Sequence, residues 1–194
     1  MKFEYESGAT PIDADEADGL LPSLTTQSEL NEWEQINITK ALSKHLHRKY
    51  KPGNILDTFF LLNLHKDMFD ETWKWAGKTR TTLKSIGVLT EEIRTRLRLL
   101  LDDVDYWIQK EIFSNDEICV RFHHQLVFIH IFPNGNGRHA RIAADLLVKA
   151  IGEKEFTWGN KDLSIKGKAR EEYIRALKEA DKNNYEPLLK FARS

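Results

Sequence analysis

The sequence predicts an all-α protein, a helical bundle interrupted by one small β-hairpin. Two observations carry that expectation. Seven stretches place apolar residues at the three- and four-residue spacing of a helix face, with short connectors between them. Only one segment, TWKWAGKTRTTLKSIGV, breaks that period, with a Thr-rich, β-preferring run bracketed by Gly77 and Gly87. Seven helical patterns against one hairpin give a bundle.

Residues 1–24 hold Gly8, Pro11, Gly19, Pro22 and several acids, a composition suited to an extended arm ahead of a single domain over 25–194. From Thr25 to about Lys49 a helix is expected, with Thr25, Thr26 or Ser28 as N-cap and Leu30, Trp33, Ile36, Ile38 and Leu42 as its apolar face. Its end, KHLHRKYK, reads as solvated, with His45 and His47 on it. Pro52 and Gly53 break the helix, and Ile55–Phe69 resumes with Phe59, Leu62, Leu64, Met68 and Phe69 facing the core. After the hairpin, helices are expected over Thr90–Ile112, Asn115–Ile129, Asn136–Ile151, Lys168–Ala180 and Tyr185–Ala192.

The composition excludes several functional classes. Lys and Arg number 29 against 30 Asp and Glu, so there is no global positive charge to bind nucleic acid or acidic membrane. No apolar run is long enough to span a bilayer, and the acidic N-terminus lacks the pattern of a secretory signal, which points to the cytoplasm. The single cysteine, Cys119, lies in an apolar-periodic segment and is expected to pack in the core. The five tryptophans are expected there too, and His123, His124, His130 and His139 fall on different faces without the acidic partners of a metal cluster.

The chemistry concentrates in HIFPNGNGRHAR, His130–Arg141, which joins two apolar helices. Glycines let backbone approach a ligand, and a loop entering a helix presents unpaired N–H groups backed by the helix dipole, a combination that attracts phosphate. Arg138 and Arg141, three residues apart in the first turn, can both bind phosphate oxygens, so a di- or triphosphate suits the loop. His130, at the other end, can take a proton from a hydroxyl that attacks a bound phosphorus. These parts suit nucleotidyl or phosphoryl transfer. Neither a P-loop nor a dinucleotide-binding fingerprint is present.

His130, Phe132, Gly135, Asn136, Gly137, Arg138 and Arg141 resemble the signature of the Fic/Doc family, HPFx[D/E]GNGRxxR, at all but two positions. From about residue 25 onward the chain is most similar to the branch called mobile mystery protein B. The resemblance implies a Fic fold and transfer of AMP from ATP to a Ser, Thr or Tyr hydroxyl of a target protein, with release of pyrophosphate. It implies His130 as general base, and Asn136 with the backbone N–H groups of Gly135 and Gly137 around the α-phosphate. Phe132 would anchor the loop, Arg138 would bind the β- and γ-phosphates, and Arg141 would fix the γ-phosphate. Thr82, Leu83, Lys84, Ser85 and Ile86 would form a flap that pairs with an extended target segment. Two further readings stay open: a nucleotide- or partner-binding module without turnover, and transfer of another phosphate-linked group such as UMP or phosphocholine.

The two departures are Ile131, where the signature has proline, and Asn134, where it has the Asp or Glu that binds Mg²⁺. A neutral amide offers one weaker ligand oxygen, so reliance on Mg²⁺ or Mn²⁺ should change. Doc-type kinases lack the glycines kept here, which favours AMP transfer over phosphorylation. The resemblance also implies a restraint, from an antitoxin or from a helix carrying [S/T]xxxE[G/N]. Thr25–Glu29 and Ser28–Glu32 have that spacing, so Glu29 and Glu32 are the candidate inhibitory residues, although Leu30 and Trp33 follow them in place of Gly or Asn.

Overall fold

The computed structural model describes residues 13–160, 163 and 167–194; the first half of the expected N-terminal arm lies outside them. The helices run in the expected order. A single turn, α1 (Ala14–Ala17), precedes α2 (Gln27–Leu46), a short α3 (Pro52–Ile55) and α4 (Thr58–Phe69). A 3₁₀ turn at Thr90–Glu92 leads into α5 (Ile93–Lys110), followed by α6 (Asn115–Ile129), α7 (Asn136–Ile151), α8 (Lys168–Ala180) and α9 (Glu186–Arg193). No described helix is long and apolar enough to cross a membrane.

Helices α6 and α7 form the centre. Phe122, Leu126, Ala140, Ala143, Ala144 and Leu147 are all buried between them, and the alanines let the two backbones approach. Their apolar stripes account for the sequence signal. Cys119 belongs to this core, fully buried, and burial raises its thiol pKa far above the usual range.

Helix α2 departs from its expected face. Trp33 and Ile36 are exposed, and the buried seam is Leu30, Glu34, Asn37, Ile38, Ala41 and His45, an i, i+4, i+7 pattern in which polar residues stand among the apolar ones. Each polar side chain bonds across the fold, Asn37 and His45 to α4 and the residues that flank it. Asn37 donates to the Asp67 carbonyl at 3.2 Å and accepts the Glu71 N–H at 3.0 Å. His45, expected in solvent, lies 2.7 Å from the Tyr50 hydroxyl and 2.9 Å from Asp67 Oδ2. Phe59 on α4 is likewise exposed, and Leu61, Leu64, His65, Met68 and Phe69 make that helix's buried face.

The expected hairpin is absent. Among the described residues the only β-pairing is an isolated antiparallel bridge between Leu20 and Trp73, and 78–89 form an extended loop. Arg80 explains why. Its Nε donates to the His130 carbonyl at 2.6 Å, Nη1 to the Thr82 carbonyl at 3.0 Å and Nη2 to the Val88 carbonyl. One guanidinium takes the carbonyls at both ends of the loop, leaving the two arms to hold to Arg80 and to the Ile129–Ile131 backbone instead of to each other. The bridge is also where the N-terminal segment departs from an extended arm: residues 13–21 make a helical turn and then pair with Thr72–Lys74.

A stack of aromatic rings carries the loop that precedes α7. Phe132 is fully buried, with His65 stacked on it at 3.6 Å between centroids and His139 edge-on at 5.0 Å. His65 donates from Nε2 to the Asn134 carbonyl (3.0 Å) and accepts the Gly77 N–H at Nδ1 (3.0 Å), which requires the neutral ring. His139 Nε2 donates to the Leu61 carbonyl at 2.9 Å.

Two predictions follow from this packing. Phe132→Ala should destabilise the fold by about 3–5 kcal/mol, the usual cost of emptying a buried aromatic site, read as a lowered denaturation midpoint. Burial holds the pKa of His65 well below 6.5, that of His123 at about 3 and that of His139 at about 4. Unfolding in mild acid therefore takes up protons, so this contribution is complete above the unfolded pKa of 6.5 and is lost as pH falls toward 4. Asp145, raised by burial to about 7, works in the opposite direction but is one group against three. The melting temperature should drop between pH 7 and pH 4.5; a flat or rising profile would contradict these assignments.

Candidate functional site

The loop between α6 and α7 is built from both ends. At its start His130 ends α6 in the left-handed region, φ 56°, and its carbonyl is held by Arg80. At its end Gly135 caps α7 at φ 78°, and a Cβ there would lie 2.6 Å from Phe69 Cζ, so both conformation and space require glycine. In between, Asn136 closes the turn on itself. Its Oδ1 accepts the Phe132 N–H at 2.9 Å and its Nδ2 donates to the Phe132 carbonyl at 2.7 Å.

This closure revises the roles carried over from the signature. The Asn136 side chain is buried and bonded to backbone, so it shapes the loop and does not face a ligand. The Gly135 N–H is taken by Asn134 Oδ1 at 2.6 Å. What stays open is the first turn of α7: no side chain caps it, and the N–H groups of Asn136, Gly137 and Arg138 have no intrahelical acceptor. A Cβ on Gly137 would meet only Arg141 Nη1 at 3.8 Å and the Tyr173 hydroxyl at 3.9 Å, so there is room for a ligand beside this backbone. An uncapped helix start with space before it is an anion site.

The two arginines flank that turn but are held by different helices. Arg138 donates to Glu34 Oε2 of α2 at 2.6 Å, lies over the Phe69 ring at 4.9 Å and reaches toward Asn134 Oδ1 at 3.4 Å. Arg141 lies over the ring of Tyr173 on α8 at 5.4 Å, and the Tyr173 hydroxyl is 3.0 Å from His123 Nε2. Burial raises the Tyr173 pKa, against the pull of the Arg141 charge. At the other end of the loop, the His130 imidazole is buried, and its pKa is pushed down to about 4, first by burial, then by the charges of Arg80 and Lys84, with the Val127 backbone opposing. It is neutral at pH 7 and able to accept a proton.

Glu34 was not legible as a site residue. It is 5% exposed, and its second oxygen accepts the Trp73 indole N–H at 2.7 Å. Its signal was an acid inside the α2 seam, four residues after Leu30 and four before Ile38. Glu29 and Glu32, the expected inhibitory residues, do not take this place. Glu29 completes the α2 cap by accepting the N–H groups of Thr25 and Thr26 in solvent, and Glu32 is exposed.

Nor does the donor set fit a resident metal ion. Asn134 offers a neutral amide oxygen already bonded to the Gly135 N–H, and the described residues contain no group of three or more His, Cys, Asp or Glu side chains placed to hold a metal ion.

Residues 55–148 match the model of the Fic/DOC family. The fold is similar to several solved Fic structures. BepC, a VirB-translocated effector of Bartonella tribocorum solved with bound AMPPNP, is 21% identical over 93% of this chain and 97% of its own, with a TM-score of 0.68. The N-terminal Fic domain of a cell filamentation protein of Bartonella quintana, solved with bound ADP, is 22% identical over 88% of this chain and 86% of its own, with a TM-score of 0.66. Fic-1 of C. elegans is 21% identical over 92% of this chain and 51% of the solved fragment, with a TM-score of 0.67. The family match covers the loop, its aromatic support and the whole of α4 to α6, so the segment that holds the candidate site is the part of the chain that matches the Fic/DOC family.

Proposed function

We propose that the protein is a nucleotidyltransferase that moves AMP from ATP to a hydroxyl of a protein target. The observation that carries this reading is the uncapped first turn of α7, open at Gly137 and flanked by two arginines, in a loop whose other end carries a neutral histidine. The bound AMPPNP and ADP in similarly folded proteins support a nucleotide at this place.

In this reading the free N–H groups of α7 and the arginines bind the phosphates, and their fixed positions replace solvation of the charge that develops on transfer. The target oxygen attacks the α-phosphorus and its proton passes to His130. The bond from the α-phosphorus to the bridging oxygen breaks, and pyrophosphate leaves. Burial keeps His130 uncharged until that moment. Phe132 and Asn136 act by holding the loop's shape. Glu34 opposes the reaction, because its carboxylate neutralises Arg138 and would stand against the distal phosphates.

One observation favours a second reading, a domain that binds nucleotide with little turnover: Asn134 brings no negative charge where the signature has a carboxylate, and its oxygen is engaged.

Two measurements decide. With labelled ATP, His130→Ala should lower label transfer at least about a hundredfold while ATP binding persists. If neither the parent nor any variant transfers label and ATP still binds, the second reading holds. Glu34→Gln keeps an oxygen for the Trp73 indole and removes the charge facing Arg138, so it should tighten ATP binding and raise transfer about tenfold or more, whereas Glu29→Gly and Glu32→Gly should leave both unchanged. An increase with either of the latter two and none with Glu34→Gln would return the restraint to the start of α2.

A further inference from the structure

The loop at 82–86, the expected target-docking segment, is already occupied in part by the chain's own N-terminal segment. Lys84 is 2% exposed, which an ammonium group tolerates only when its charge is met. Two carboxylates meet it: Asp13 Oδ2 at 2.7 Å and Glu16 Oε2. The same two residues reach the Thr82 hydroxyl, at 2.8 Å from Asp13 Oδ2 and 3.1 Å from Glu16 Oε1. Asp13 caps α1 and Glu16 lies on its first turn, three residues on, and Thr82 and Lys84 are alternate residues of the loop, so the pair of acids meets the pair of loop residues. Leu83 between them points outward and is 66% exposed, and Ile86 and Leu89 are exposed beside it.

This contact has the form of a ligand on a receptor more than of a piece of core. It is made by charge pairing, and one of its two acids, Asp13, keeps 45% of its side chain in water, where solvent and ions reach it. The loop's apolar residues take no part in it. They are left for something else, within reach of the same lysine and next to His130, whose Cβ would be met at 2.5 Å by a Cβ on Gly87.

We propose that Thr82 and Lys84 form a receptor for an acidic protein segment, that residues 13–18 fill it in cis, and that a target displaces them with its own pair of carboxylates one helical turn apart, adding apolar contacts to Leu83 and Ile86. This rests on the reading of 82–86 as the place where the target docks. It makes target choice a matter of charge, and it makes the N-terminal segment a tethered competitor whose effective concentration is in the millimolar range, as for short flexible linkers.

A fluorescent peptide of the chain's own residues 11–22, PIDADEADGLLP, is the probe, and the full chain is the receptor, without nucleotide. Asp13→Ala with Glu16→Ala should empty the site and tighten probe binding about tenfold or more over the parent. Lys84→Met added to that double variant keeps the aliphatic stem and should remove the gain, whereas Lys84→Arg should keep it. No gain in the double variant, or a gain that survives Lys84→Met, overturns the proposal. The readout does not depend on transfer. A chain that labels nothing yet binds the probe through Lys84 sinks only the transferase reading, and a chain that labels targets while its probe binding ignores Lys84 sinks only this one.

Discussion

The turn that Asn136 closes onto Phe132 is the constraint on which the site depends. Two hydrogen bonds from one buried amide fix the backbone from the end of α6 to the start of α7, and they do so only because Phe132 cannot move: its ring is clamped by two neutral histidines. With that turn fixed, the first N–H groups of α7 must point into open space, since Gly135 has no side chain to cap them. A conventional Ser or Asp cap would satisfy those donors and add stability. The chain forgoes it, and the proposed function makes use of the donors left open. The same logic gives His65 a structural role: each of its ring nitrogens is committed to the backbone of a different loop.

Around this rigid turn the charged groups form two opposed pairings. Glu34 is held by both Trp73 and Arg138, so α2 is tied to α7 by a carboxylate paired with the arginine proposed to bind phosphate. Lys84 is similarly paired with Asp13 and Glu16. In each case a cation suited to an incoming anionic group is met by an acid from an earlier part of the chain. Such pairs cost desolvation and return little net stability, which makes them suitable for exchange.

Much of this was legible in the sequence. The helix order and the breaks at Pro52 and Gly135 follow from periodicity and from glycine placement, because apolar stripes and helix termini are local properties. The departures arise where a polar side chain bonds across the fold. The α2 face was misassigned because Glu34, Asn37 and His45 occupy seam positions that pattern reading gives to apolar residues, pushing Trp33 and Ile36 outward. The hairpin was expected from β-preferring residues, but Arg80 gathers the loop's carbonyls, a contact between residues that spacing alone does not pair. The roles of Asn136 and Gly135 were assigned from the signature, which names residues without saying which way their polar groups turn.

The burial of Cys119 has a practical consequence for anyone studying the motion of these parts. A sealed thiol with an elevated pKa forms almost no thiolate and does not react with maleimides or nitroxide reagents in the folded state. The native chain is therefore a silent background, and a cysteine placed at Leu83 would be the single labelling position, from which a spin or fluorescence probe could report whether residues 13–18 lie against the loop.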